Sequence, residues 1–273
     1  MTTSVLASIE PPWSMSTPAT AQTVITAVLA VVLAGFVVAA VIDWRKTGRP
    51  LFLLMLAGGF VCCFNEATVD VLGHCFFPND GWMVYTYFGR GVPLWVVLAY
   101  VIFFGGLPYL MSMAFKRGAT RRTMWIAIGI FGVLNTVLEL PMLSSGLYIY
   151  YGDQPFSVGG FPLSWLVINS LGALFGAVVI TRLDWALTGP RQLLVILVPF
   201  ATYLSSWVLA MPHFAITNTG ASTGVRMAFA ALSIVLGLLA SDVLIRFGTG
   251  QLRLIPPGAL DAPRVTPVPS RAS

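Results

Sequence analysis

Residues 62–75 read Cys-Cys-Phe-Asn-Glu-Ala-Thr-Val-Asp-Val-Leu-Gly-His-Cys, placing two carboxyls, an amide and an imidazole at the end of a long apolar run. Glu66, Asp70 and His74 stand at i, i+4 and i+8, so a helix that continues that far carries all three on one face. Asn135 and Glu139 repeat the four-residue spacing in another apolar run. Ionisable groups inside a membrane span are costly, and they mark a path, a pairing or a reaction. Three acids with one or two bases nearby leave at least one carboxyl unpaired, and a low dielectric disfavours its charged form. A neutral buried carboxylic acid is a proton donor, which acid-catalysed chemistry on an apolar substrate requires.

Other chemistries lack a handle. The chain has no phosphate-binding or dinucleotide glycine motif, no nucleophile elbow and no HExxH. Two histidines are poor material for a catalytic metal site, so neither metal nor cofactor is expected. Cys62, Cys63 and Cys75 offer no disulfide framework and read as free buried thiols.

The elements that must position these groups follow from composition. Of 273 residues, 57% are hydrophobic and only 9% charged, against about a quarter charged in soluble domains. The mean hydropathy is +0.86. These values predict an all-α integral membrane protein, multi-pass in the cell membrane, built as one bundle of about seven transmembrane helices. The expected spans are 22–42, 51–72, 95–115, 124–143, 163–180, 192–211 and 224–247. Residues 1–21 are expected to be a disordered or interfacial leader, 22–247 the membrane domain, and 248–273 a disordered cytoplasmic tail. The net charge of +5 sits in short clusters between apolar runs, which is a topology signal and no pointer to nucleic acid. With the N-terminus outside and the C-terminus cytoplasmic, every Lys and Arg except Arg90 and Arg226 falls on the cytoplasmic side. The expected partners are the lipid bilayer and a hydrophobic small molecule.

With that topology, Glu66, Asp70, Asn135, Glu139, Trp165, Asn169, Tyr203, Ser205, Ser206 and Trp207 all fall in the outer halves of their spans. His74, Arg90, His213 and Arg226 cap that side, while the inner half is nearly bare except for Asp242, placed to pair with Arg246. One polar cavity near the outer surface accounts for this layering. Plainer readings stand beside it. Asn65, Asn135 and Asn169 suit interhelical hydrogen bonds as well as substrate contacts. Tyr148, Tyr150, Tyr151, Trp82 and Trp95 suit an interface belt, although Trp95 is also a candidate cavity residue. His74 and His213 fit solvated loops equally well. Arg90 is either a counter-ion to Glu66 or Asp70 or a residue snorkelling to the headgroups.

The stretch Asn65-Glu66-xxx-Asp70-xx-Gly73, followed by an aromatic and Pro78, resembles the AveC-like spirocyclase family of actinobacterial membrane proteins. So do Gly89-Arg90-xx-Pro93-Leu94-Trp95 and Tyr100-xxx-Phe104-Gly105-Gly106, together with the size and span layout. The resemblance implies closure of a dihydroxy-ketone polyketide to a spiroketal with loss of water, and in some members dehydration of the ring. In that chemistry Glu66 is the acid, Asp70 the base or cation stabiliser, and His74 or Glu139 a relay. Asn65, Arg90, Trp95, Asn135, Trp165, Asn169, Tyr203 and Trp207 are the candidate substrate contacts. A membrane terpene cyclase that protonates a polyprenyl epoxide or alkene would use the same groups. A proton-coupled transporter is the second alternative, disfavoured by the bare inner half and by the absence of an internal repeat.

Overall fold

The computed structural model describes residues 10–217 and 219–252. The expected tail beyond position 252 and the first nine leader residues lie outside the described residues. Seven helical spans are each long and apolar enough to cross a membrane.

Helix α1 (Ala19–Thr47) exposes Val24, Val28, Val31 and Val38, the surface of a helix lying against lipid. It ends where Gly48 takes a left-handed φ of 69° and donates its N–H to the Trp44 carbonyl. Trp13 and Thr17, before it, are anchored. Thr17 donates its N–H and hydroxyl to Asp80 at 2.8 and 2.7 Å, and Trp13 meets Phe76 edge-on. The second span is α2 (Leu51–Cys62), a 3₁₀ turn (Cys63–Asn65) and α3 (Glu66–Gly73). The helix does not continue through His74, whose backbone turns left-handed at φ 54°. His74 therefore leaves the face shared by Glu66 and Asp70.

After β1 (Cys75–Phe76), β2 (Met83–Tyr87) and β3 (Arg90–Pro93) form a hairpin that turns through Phe88 and Gly89, both at positive φ. The third span joins α4 (Leu94–Tyr100) to α5 (Leu107–Lys116) through a π-helical segment, Val101–Gly106. Helix α6 (Arg121–Ser144) starts at Thr120, whose hydroxyl accepts the Thr123 N–H at 3.2 Å. Short strands follow: β4 (Ile149–Tyr150) pairs with β1, and β5 (Ser157–Val158) with β6 (Phe161–Pro162). Helix α7 (Ser164–Arg182) is the central post, packed on α5, α8 and α9. A 3₁₀ stretch, Gly189–Leu197, runs into α8 (Val198–Thr217), and α9 (Thr223–Gly248) completes the bundle.

Two expectations change here. Helix α8 passes through Pro212, and His213 is fully buried rather than solvated. The His213 N–H donates to Ser233 Oγ on α9 at 3.0 Å, so a neighbouring helix supplies the acceptor where the proline disturbs the ladder. Arg49, Lys116, Arg121 and Arg246 gather at the opposite end from His74. There Asp184 bridges Arg49 and Lys116 at 3.1 and 2.9 Å, and Asp242 holds both Arg121 and Arg246, the latter as expected.

Helix α2 and the π-helical segment cross with backbone close against backbone. A Cβ on Gly59 would lie 2.7 Å from Val101 Cα, and one on Gly105 would lie 2.6 Å from the Met55 carbonyl oxygen. Small residues let membrane helices approach to this distance. Gly59→Ala and Gly105→Ala should each cost about 1–3 kcal/mol through overpacking against backbone. Gly35, where an added methyl would meet nothing within 4 Å, should accept alanine without loss. Melting curves in detergent check this, and a Gly105→Ala protein as stable as Gly35→Ala would refute the crossing.

Candidate active site

The 3₁₀ turn at Cys63–Asn65 leads into α3, where Glu66 and Asp70 lie one turn apart and both face the bundle interior. Gly73 ends this helix against the Trp165 indole, and any side chain there would enter the ring. Glu66, Asp70 and Trp165 thereby share one cavity of about 100 Å³. Helices α3, α4, α6, α7 and α8 supply its walls. The segment after α3 (Cys75, Phe77) and the loop before α7 (Tyr148, Tyr150) supply its cap. Phe77, Trp95 and Tyr148 pack as a cluster with ring centroids 5.2 to 5.7 Å apart.

Polar groups run around the cavity as a nearly continuous belt. The Tyr100 hydroxyl donates to Glu66 Oε2 in a short hydrogen bond. The Tyr100 and Tyr203 rings meet edge-on at 5.7 Å. Tyr203 donates to Asn169 Oδ1 at 3.4 Å, Asn169 to Asn135 Oδ1 at 3.2 Å, and Asn135 to Glu139 Oε1 at 3.1 Å. Two oxygens at the cavity's carboxyls, Asp70 Oδ2 and Glu139 Oε2, are buried with no protein partner. Unpaired buried acceptors are costly and call for an explanation. A ligand or water in the cavity would pair them.

Eight residues singled out in the sequence meet here: Glu66, Asp70, Trp95, Asn135, Glu139, Trp165, Asn169 and Tyr203. Four do not. Asn65 donates to the Phe200 carbonyl at 3.3 Å and ties the 3₁₀ turn to α8. Trp207 stands behind Tyr203, edge-on at 5.6 Å. His74 stacks flat on Tyr151, centroids 4.8 Å apart, so it is buried beside the site rather than in it. Arg90 forms no ion pair with Glu66 or Asp70 among the described residues. It donates to the Tyr151 hydroxyl at 2.6 Å and lies over the rings of Trp13, Phe76 and Tyr151. Aromatic faces take the place of a carboxylate partner.

Tyr148 and Tyr150 are cavity walls rather than belt aromatics, and so is Trp95; Trp82 remains exposed. Tyr100 figures in the sequence only within a motif and not among the candidate site residues, yet it lines the cavity. Depth counting applied to the third span would have found it, because Tyr100 follows the start of that span by nearly the same interval that Glu66 precedes the end of its own. No group of three or more His, Cys, Asp or Glu is arranged to hold a metal among the described residues.

Outside the spans, burial is the main influence on the cap's titratable groups. Burial pushes the Cys75 thiol well up, helped by Asp70, Glu66 and Glu139. Burial likewise raises the Tyr150 and Tyr151 phenols. Burial first, and the Arg90 charge second, push His74 down to about 4.

The chain matches no family model, no curated protein and no solved structure. The cap's electrostatics yield a direct test. The folded value of His74 lies below its ordinary 6.5, so the stability it contributes is present above that pH and lost as pH falls toward 4. His74→Asn keeps a residue that tolerates left-handed backbone and should flatten this part of the melting-temperature profile. A variant profile as steep as the parent's would contradict it.

Proposed function

We propose that this protein is a cofactor-independent, membrane-embedded acid/base cyclase that forms a spiroketal from a dihydroxy-ketone with loss of water. One observation carries the reading: buried carboxyls on two facing walls, Glu66 and Asp70 on α3 and Glu139 on α6, enclose a small aromatic cavity and keep unpaired oxygens within it. The reaction needs little else. One hydroxyl adds to the ketone to give a hemiketal, and the acid protonates the hemiketal hydroxyl. Water leaves through an oxocarbenium ion, the second hydroxyl attacks, and its proton passes to the base. Glu66 is the acid in this scheme and Asp70 the base or cation stabiliser. Glu139 acts as relay in place of His74, which faces Tyr151. The Tyr100 hydroxyl orients Glu66. Holding the diol in one folded conformer sets the stereochemistry.

The orientation belongs to the same proposal. The N-terminus lies outside and the C-terminus in the cytoplasm, supported by the basic residues clustered around Asp184 and Asp242 at one end. The cavity then opens toward the outer half of the membrane. The aromatic walls support a second reading, a terpene cyclase in which Trp95, Trp165 and Tyr203 stabilise a carbocation. Transport is disfavoured because the core beyond the cavity is apolar, built from Phe52, Met55, Leu56 and their neighbours.

Turnover by protein-containing membranes tests the proposal. Glu66→Gln and Asp70→Asn should each lower spiroketal formation by about 10²- to 10⁴-fold. Tyr100→Phe should lower it by about tenfold, as expected for loss of one hydrogen bond. Full activity in both carboxyl variants would remove the proposal. Turnover of a polyprenyl epoxide, with none of the dihydroxy-ketone, would replace it with the second reading.

A further inference from the structure

The cavity has a polar back and an apolar front. Its back is Glu66, Asp70, Trp165 and Tyr203, all buried. Its front is formed by Ala99 and Phe103 on α4 and the π-helical segment, facing Leu138 on α6, and all three are only partly buried. Helix α6 packs chiefly on α7 and α9 and on β6, not on α4. The two front walls therefore meet through side chains, chiefly the edge-on pair Phe103–Phe131 at 5.2 Å. Helix α6 turns Val133, Leu134 and Val137 outward, so a cleft between α4 and α6 would open sideways, toward lipid once these apolar spans lie in a bilayer.

Size makes this opening matter. A cavity of about 100 Å³ has room for several waters, whereas a drug-sized ligand needs about 300 Å³ or more. Only one end of such a ligand fits inside. We infer that the cleft between α4 and α6 binds the apolar body of an amphipathic molecule dissolved in the bilayer, with its oxygenated end inserted between the carboxyls. Continuity with the polar cavity selects this occupant: a pure hydrocarbon would leave Asp70 Oδ2 and Glu139 Oε2 unpaired. Tyr150 also borders a separate hollow, a vestibule lined by Asp153, Gln154 and Arg226. The Arg226–Asp153 ion pair at 2.7 Å joins the two sides of that vestibule. A water-borne substrate would enter there, and a bilayer-borne one through the cleft. The inference rests on the acid/base reading for its chemistry, but binding is measured without turnover.

The probe is a long-chain primary alcohol bearing a mid-chain diazirine, photolysed with the full-length protein in phosphatidylcholine vesicles. The matching alkane without a hydroxyl is the control. Adducts of the alcohol should concentrate on Val96, Ala99, Phe103 and Leu138 relative to the lipid face of α9, and the alkane should show no such preference. Ala99→Trp, which fills the mouth, should lower the cleft adducts by about tenfold or more. Leu138→Trp narrows the same mouth from the other helix and serves if the first variant melts early. Equal labelling of cleft and α9, insensitivity to both tryptophans, or adducts at Asp153, Gln154 and Arg226 instead would overturn the cleft. Cleft labelling without turnover of a dihydroxy-ketone would remove the acid/base reading and leave the cleft standing.

Discussion

The approach of α2 to the π-helical segment at Gly59 and Gly105 is the constraint on which the site depends. Lipid gives membrane helices no hydrophobic reason to associate, so close packing has to hold them. Backbone-to-backbone contact at two glycines brings the second and third spans together. That contact sets Tyr100, just before the π-helical segment, over Glu66, a turn beyond the end of α2. Segments of this kind recur at functional sites because the extra residue per turn re-aims neighbouring side chains. Here it follows Tyr100, carries the cavity walls Phe103 and Phe104, and leads into the regular helix α5.

The cavity's carboxyls and asparagines, Glu66, Asp70, Asn135, Glu139 and Asn169, gather at one end of the bundle. A buried polar group must find a partner or it destabilises the fold. The belt from Tyr203 through Asn169 and Asn135 to Glu139 meets that requirement with neutral donors and leaves one carboxyl oxygen free. Asparagines that hold helices together and asparagines that shape a site are thus the same residues. Arg90 follows a different solution, a guanidinium packed among three rings with one hydroxyl acceptor. The cap keeps this cation apart from the carboxyls while closing the cavity with Phe77, Tyr148 and Tyr150.

What local pattern determines was legible from the residues alone. Seven apolar runs become seven spans because backbone groups in hydrocarbon must pair within their own helix. The four-residue spacings of Glu66 with Asp70 and of Asn135 with Glu139 each turn a pair onto one face, whatever lies opposite. Comparing depth between spans was enough to gather Trp165, Asn169 and Tyr203 near them. Only the tertiary structure decided the rest, since rotation about a helix axis and the choice of partner depend on contacts distant in sequence. It turned His74 out of its helix, buried His213 behind a proline that fails to end α8, and drew Tyr148 and Tyr150 inward through the pairing of β1 with β4. It joined Tyr100 to Glu66 through a glycine crossing, which no spacing within either span encodes.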